Sequence, residues 1–200
     1  WSSDVCSSEM FWIDEFGGSA LAAIAHALSN KYTDVSIAGN CDPNLLCAWG
    51  THPILDPCFS SSNLTVRHEG ISSTRMEKIR SIADWGVALR HLRVCNHYKK
   101  YSNVLINCGK CEKCLRTMLE FLAVGSLEKV ETLPVKTISP TLVRQTVKIT
   151  NPFVEKFYKD LVGPLKDRGR EDLSEAVLAS LKKYRTKNSF GRRYCHNIYD

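Results

Sequence analysis

Cys108-Gly109-Lys110-Cys111-Glu112-Lys113-Cys114, with Cys95 upstream at the end of an apolar run, is the stretch on which the fold of this chain turns. Three cysteines, each separated from the next by two residues, and a fourth within reach of one loop supply the four thiolates of a closed tetrahedral zinc site. Gly109 permits the tight turn between the first two thiolates. Beyond Cys111 the apolar residues Leu115, Met118, Leu119 and Leu122 have helical spacing and Gly125 is a stop, so Cys111 and Cys114 fall at i, i+3 on a first helical turn. Upstream, Leu89 to Cys95 reads as a third strand that delivers Cys95 to its end. With every position filled by cysteine no place is left for water, which makes the ion structural rather than catalytic. Four thiolates leave an excess of negative charge that Arg93, Lys99, Lys100, Lys110, Lys113 and Arg116 would offset. A disulfide pair is the competing reading.

The rest of the composition sets the frame. A chain of 200 residues that is 44% hydrophobic can bury a sizeable core. No apolar run reaches the length of a bilayer crossing, and Trp1-Ser2-Ser3-Asp4 lacks a secretory layout, so a soluble protein is expected, with no membrane partner. Nine cysteines is an odd count, and four of them sit at metal-ligand spacing. A reducing, cytoplasmic setting therefore fits better than a secreted disulfide framework, and the sequon Asn63-Leu64-Thr65 becomes a chance match. The start at Trp1 suggests a fragment or a processed chain. Net charge is +6, with Lys182, Lys183, Arg185, Lys187, Arg192 and Arg193 close together. That run is either a solvated helix end and tail or a phosphate-binding arm.

Ahead of the cysteines the pattern is that of a parallel sheet. Ala20 to Leu28 reads as a helix buried on most sides, with Gly18 or Ser19 as cap; the glycine pair is a capped turn or a set of N–H donors for a phosphate. His26 reads as a packed histidine. Val35 to Asn40 is a short strand, and helix followed by strand is the unit of α/β architecture. The long segment Cys41–Ser62 then carries Trp49-Gly50-Thr51-His52-Pro53-Ile54-Leu55-Asp56-Pro57 at a strand's carboxyl end, where ligands of such sheets collect. His52 and Asp56 can orient one another as base and carboxylate or hydrogen-bond a substrate, with Ser60, Ser61 and Ser62 adding hydroxyls. A structural loop whose His and Asp satisfy backbone groups is the other reading. Leu64 to Glu69 alternates as a second strand. Thr74 opens a helix from Arg75 to about Trp85 with Met76, Ile79, Ile82 and Ala83 buried, and with Glu77 at capping-box spacing. Arg75 and Lys78 place two cations in its first turn, where they can meet a phosphate or carboxylate or else pair with Glu77 or Asp84.

After Val135 the chain turns more polar and helical. Helices are expected from Thr141 to Val147, from Pro152 to a break at Gly163-Pro164, and from Glu171 to about Tyr184 with Leu173, Val177, Leu178 and Leu181 on one face. Cys195 and His196 have no further ligand beside them. The expected organisation is a zinc-containing α/β domain over 1–135, a helical appendage over 136–187 and a flexible tail over 188–200.

The four cysteines, the strand before them and the helix after them resemble the C-terminal half of the PP-loop ATP pyrophosphatase superfamily, above all its 7-cyano-7-deazaguanine synthase-like branch. There, one cysteine at a strand end and three at C-x-x-C-x-x-C hold zinc; here these are Cys95, Cys108, Cys111 and Cys114. Thr74-Arg75-Met76-Glu77-Lys78-Ile79 resembles the branch's Thr-Lys-x-Glu-Ile helix start. Gly50-Thr51-His52-Pro53-Ile54-Leu55-Asp56-Pro57 is similar to the Gly-Ser-His-Pro-Leu-Leu-Asp-Pro stretch that precedes the zinc knot in some relatives. The resemblance spans residues 17 to 125. It implies a Rossmann-like parallel-sheet half-domain with a zinc knot, ATP and magnesium as cofactors, a small-molecule substrate activated by adenylation, and a substrate side lined by His52, Asp56, Ser60, Arg75 and Lys78. The superfamily's Ser-Gly-Gly-x-Asp-Ser loop for ATP pyrophosphate does not occur in this sequence. The alternative is a non-catalytic zinc module binding protein or nucleic acid through its basic end, with Tyr98 and Tyr101 available for stacking.

Overall fold

The structure, a computed structural model, describes residues 12–39, 46–95 and 106–189 and divides into two compact units, Trp1–Arg75 and Met76–Asp200. In the first unit a π-helical turn, Trp12–Phe16, runs directly into α1 (Gly17–Ala27). Gly17 and Gly18 therefore stand inside a helical run and not at its start. The Gly18 N–H is taken by the Gly50 carbonyl at 2.6 Å, and Ser19 Oγ donates back to the Phe16 carbonyl. This replaces both the cap and the phosphate readings of the glycine pair. Ala22 and Ala25 face the core with the two glycines, while Leu21, Ile24 and Leu28 stay exposed, so α1 is buried on its small-residue side alone.

Strands β1 (Asp34–Ala38) and β2 (Thr65–Glu69) pair in parallel, in register from Asp34 opposite Thr65 to Ala38 opposite Glu69. The mixed helix and parallel-strand class expected from the sequence is present. Period-2 alternation puts Val35, Ile37, Val66 and His68 on one face. On that side Ile37, Leu64 and Val66 form a small core with Ala25, flanked by Val35 and Phe59. The other face is polar, with the Arg67 guanidinium holding Asp34 Oδ1 at 2.8 Å. The connection between the strands carries a 3-10 turn, Asp56–Phe59. His26 Nε2 meets the Phe59 carbonyl at 2.7 Å, which makes it the packed histidine expected.

Helix α2 (Arg75–Ile82) opens with the last residue of the first unit and otherwise belongs to the second, followed by α3 (Gly86–His91), α4 (Glu112–Val124), α5 (Pro140–Thr146), α6 (Pro152–Asp167) and α7 (Glu171–Ser189). Helix α4 is the centre: nine of its thirteen residues are buried, against α5 and α6, while α7 packs on α5 and α6. Leu115, Met118, Leu119 and Phe121 are fully enclosed; each contributes about 1.5–3 kcal/mol by leaving water. The helix ends where expected. Gly125 takes φ +78°, its N–H and that of Ser126 bond back to Leu122 and Phe121, and the Arg168 guanidinium donates to the Ala123 and Val124 carbonyls. Ser139 and Asn151 cap α5 and α6 through their side chains, each followed by proline at the first helical position.

Five expectations change. Leu89–Cys95 is not a third strand: Leu89, Arg90 and His91 finish α3, and Leu92 to Cys95 belong to no regular element and pair with no strand among the described residues. Helix α6 does not break at Gly163-Pro164. A proline inside a helix costs about 3 kcal/mol, but Leu161 and Leu165 on either side of it are both fully buried and hold the helix together. Leu178 leaves the buried face of α7 and is 41% exposed. The chain also divides at 75/76 rather than at 135, with the cysteines sharing one core with α5, α6 and α7. Helix α7 continues to Ser189, past the expected end at Tyr184 and into the stretch expected as tail. Lys99, Lys100, Tyr98, Tyr101, Arg192, Arg193, Cys195 and His196 lie outside the described residues, as do the first eleven positions. Among the described residues no helix is long and apolar enough to cross a membrane.

Candidate functional site

Two constellations carry chemistry, one in each unit. In the second unit the Sγ atoms of Cys95, Cys108, Cys111 and Cys114 all lie within 4.8 Å of one another. Cys95 and Cys111 are 3.8 Å apart at sulfur, and so are Cys108 and Cys114. Metal–thiolate bonds of about 2.3 Å in a tetrahedron give sulfur–sulfur edges of about 3.8 Å. A disulfide needs about 2.05 Å, and all four cysteines are unbridged. The donor set therefore fits a four-coordinate ion, with no position open for water.

Local sequence builds this cluster. Gly109 has φ +67°, and a Cβ there would come within 3.0 Å of Pro134 and 3.1 Å of Val135, so only glycine turns the chain in that space. The turn aims the N–H groups of Lys110 and Cys111 at Cys108 Sγ, at 3.4 and 3.3 Å. Cys111 is the N-cap of α4 and Cys114 lies in its first turn, where the electropositive helix end favours thiolate. Cys95 is positioned by Asn107, a residue the spacing argument passed over. Its fully buried side chain accepts the N–H groups of Val94 and Cys95 and donates to the carbonyls of Leu92 and Thr132. One amide thus supplies the pairing that a neighbouring strand would give. Arg116, expected to offset thiolate charge, instead stacks on the Phe157 ring at 4.8 Å and faces Glu112, which accepts the Tyr158 hydroxyl.

Burial pushes the Cys111 and Cys114 thiols above their ordinary range, with Cys108 adding to both shifts. Without metal these groups hold their protons at neutral pH, and an ion must displace them. Apparent metal affinity is therefore expected to rise with pH through neutrality and to collapse on acidification, as read by competition with a chelator on either side of neutral pH. A pH-independent affinity would contradict thiolate ligation.

In the first unit Asp56 is fully buried and its carboxylate gathers the site. Oδ2 lies 2.7 Å from His68 Nδ1, and Oδ1 accepts the His52 main-chain N–H at 3.1 Å. The expected His52–Asp56 base-and-carboxylate pair is thus corrected: His52 reaches Asp56 only through its backbone, and its Nδ1 is occupied by the Ile54 N–H at 3.1 Å. The imidazole that Asp56 holds is that of His68, at the carboxyl end of β2 with its side chain only 6% exposed. Its position was readable, since alternation sets His68 on the face of Leu64 and Val66. Ser60 is an exposed residue whose hydroxyl clips β2, accepting the Val66 N–H at 2.9 Å. Arg75 and Lys78 stand half-buried in the first turn of α2 and each has an interaction within the chain.

Compared with protein-family models, with curated proteins and with solved structures, the chain shows no significant match in any of the three.

Proposed function

We propose that this chain is the zinc-stapled portion of a PP-loop-type, ATP-dependent enzyme of the 7-cyano-7-deazaguanine synthase-like kind. Such an enzyme activates a carboxylate or similar oxygen by adenylation and passes it to a nitrogen or sulfur nucleophile. The observation that carries the reading is the four-thiolate cluster, made by one cysteine ending the segment after α3 and three entering a helix at C-x-x-C-x-x-C. Four thiolates at tetrahedral spacing suit zinc, whose role here is to fix the corner between the Cys95 segment and α4. The parallel pair β1–β2, with the Gly50–Pro57 loop between its strands, supports the same assignment.

ATP and magnesium do not fit the residues present. The sequence holds no Ser-Gly-Gly-x-Asp-Ser loop, and the Gly18 N–H that might have served a phosphate is taken by Gly50. No step through ATP is therefore assigned to these 200 residues. Their own contribution is the substrate side, with Asp56 holding His68 and with His52, Ser60, Arg75 and Lys78 as the remaining candidates. The nucleic-acid alternative gains little: Lys182, Lys183 and Lys187 are exposed on α7, but Arg185 is paired with Glu155 at 2.6 Å.

Given ATP and magnesium, the 200-residue chain is expected to release no pyrophosphate; release above background would show a nucleotide site in it. The enzyme reading itself is tested on the coding sequence upstream of Trp1. A strand followed by Ser-Gly-Gly-x-Asp-Ser supports it, and a complete reading frame without that segment sinks it.

A further inference from the structure

His68 is more than a packed residue. Its side chain is 94% buried by the 6% exposure above, its Nδ1 is held by a carboxylate with no exposure, and among the described residues no group hydrogen-bonds its other nitrogen. An ionised carboxylate only accepts, so Nδ1 is the donor, and in the neutral imidazole the Nε2 lone pair is then left for something else. A buried ionisable pair is a poor way to gain stability, because apolar residues of like volume would serve as well or better.

The neighbouring glycine points the same way. Gly39 follows β1, and a Cβ on it would lie 2.5 Å from His68 Nε2, 3.1 Å from Cδ2 and 2.9 Å from the Glu69 carbonyl. Its φ is not among the positive ones, so the close approach of the imidazole and of the β2 carbonyl, not backbone conformation, calls for glycine there. The spot lies at the carboxyl ends of β1 and β2, the place where parallel sheets hold ligands.

We propose that His68 Nε2 is the proton acceptor for a hydroxyl or amine of a ligand bound at the carboxyl ends of β1 and β2, and that Asp56 is its positioning residue. The ligand's O–H or N–H donates to Nε2. As the ligand's O–H or N–H bond breaks, a new N–H bond forms at Nε2 and the electron pair stays on the ligand's oxygen or nitrogen, leaving an imidazolium beside the Asp56 carboxylate.

The test uses the metal-loaded chain with diethyl pyrocarbonate, which acylates an imidazole nitrogen through its free lone pair, and mass spectrometry to locate the adduct. It contains no nucleotide, so its outcome is independent of the adenylation reading. His68 is expected to react; an unmodified His68 alongside modified His91, an exposed residue, overturns the proposal. Asp56→Asn offers Nδ1 a donor and drives the proton to Nε2, so His68 labelling is expected to fall by about tenfold or more; unchanged labelling in a folded variant refutes Asp56 as the positioning residue. If that variant does not fold, two-bond hydrogen–nitrogen correlations on the ¹⁵N-labelled wild-type chain decide: a proton on Nδ1 and a bare Nε2 support the proposal, and a proton on Nε2 overturns it.

Discussion

Cys111→Ser is expected to remove the bound metal, proposed above to be zinc, and most of the stability of the second unit together. Cys111 is at once the N-cap of α4 and one vertex of the cluster, 3.8 Å from Cys95 at sulfur. A serine hydroxyl does not ionise at neutral pH and is a poor zinc ligand, so three thiols are left in a cavity built for four. Structural zinc sites contribute about 10–16 kcal/mol of apparent binding energy, against a whole-domain stability of about 5–15 kcal/mol. Losing the ion is therefore comparable with losing the fold. The core of α4, α5, α6 and α7 offsets part of this, since Leu119, Val143, Leu161 and Leu173 remain enclosed. The measurements are metal per chain by elemental analysis and the thermal midpoint by circular dichroism. Cys58→Ser is the control, because Cys58 is exposed, lies outside the cluster and only donates to the Ile54 carbonyl. A folded, zinc-free Cys111→Ser protein with the midpoint of the wild type would show that the cluster does not hold the unit together.

What the sequence made legible follows from how local each signal is. The cluster could be read because its spacing forces three ligands onto one turn and one helix start, whatever surrounds them. Helix α4 could be read to its last residue because Gly125 marks the stop. The strand expected over Leu89–Cys95 failed for an instructive reason. Residues 92 to 95 belong to no regular element, and the side chain of Asn107, not a neighbouring strand, takes up their backbone groups. An apolar run that leads to a cysteine does not say what pairs with its backbone. The Gly163-Pro164 break failed likewise, because propensity gave way to the burial of Leu161 and Leu165 on tertiary contact.

The first unit shows the same limit at the site. Sequence marks Asp56 as a candidate carboxylate, but the histidine nearest to it along the chain is not the one whose imidazole it holds. His52 is four residues away and reaches it only by main-chain N–H, whereas His68, twelve residues on, arrives on β2 and makes the 2.7 Å contact. Strand register, which fixes which residue stands at a carboxyl end, is a long-range property. What remained local was the alternation that turned His68 inward beside Val66.

The residue with the largest expected effect outside the four ligands is Asn107. It is fully buried and makes four hydrogen bonds, two accepted from Val94 and Cys95 and two donated to Leu92 and Thr132. Asn107→Ala strips partners from two N–H groups and two carbonyls at once. Each buried group left unsatisfied costs about 1–3 kcal/mol; allowing for water entering the space, the expected loss is about 3–5 kcal/mol. Because the same amide holds the Cys95 segment, zinc affinity is expected to fall by about 10–100-fold, as for other groups that position metal ligands. Asn107→Asp separates the two contributions. It keeps the acceptor for Val94 and Cys95, but turns a lone pair toward the Leu92 and Thr132 carbonyls and adds negative charge near four thiolates, so zinc binding should suffer at least as much as in the alanine variant. Denaturant unfolding of the zinc-loaded proteins and competition with a chromophoric chelator measure both quantities. Variants within about 0.5 kcal/mol of wild type and of equal zinc affinity would mean that Cys95 reaches the cluster without the Asn107 clip.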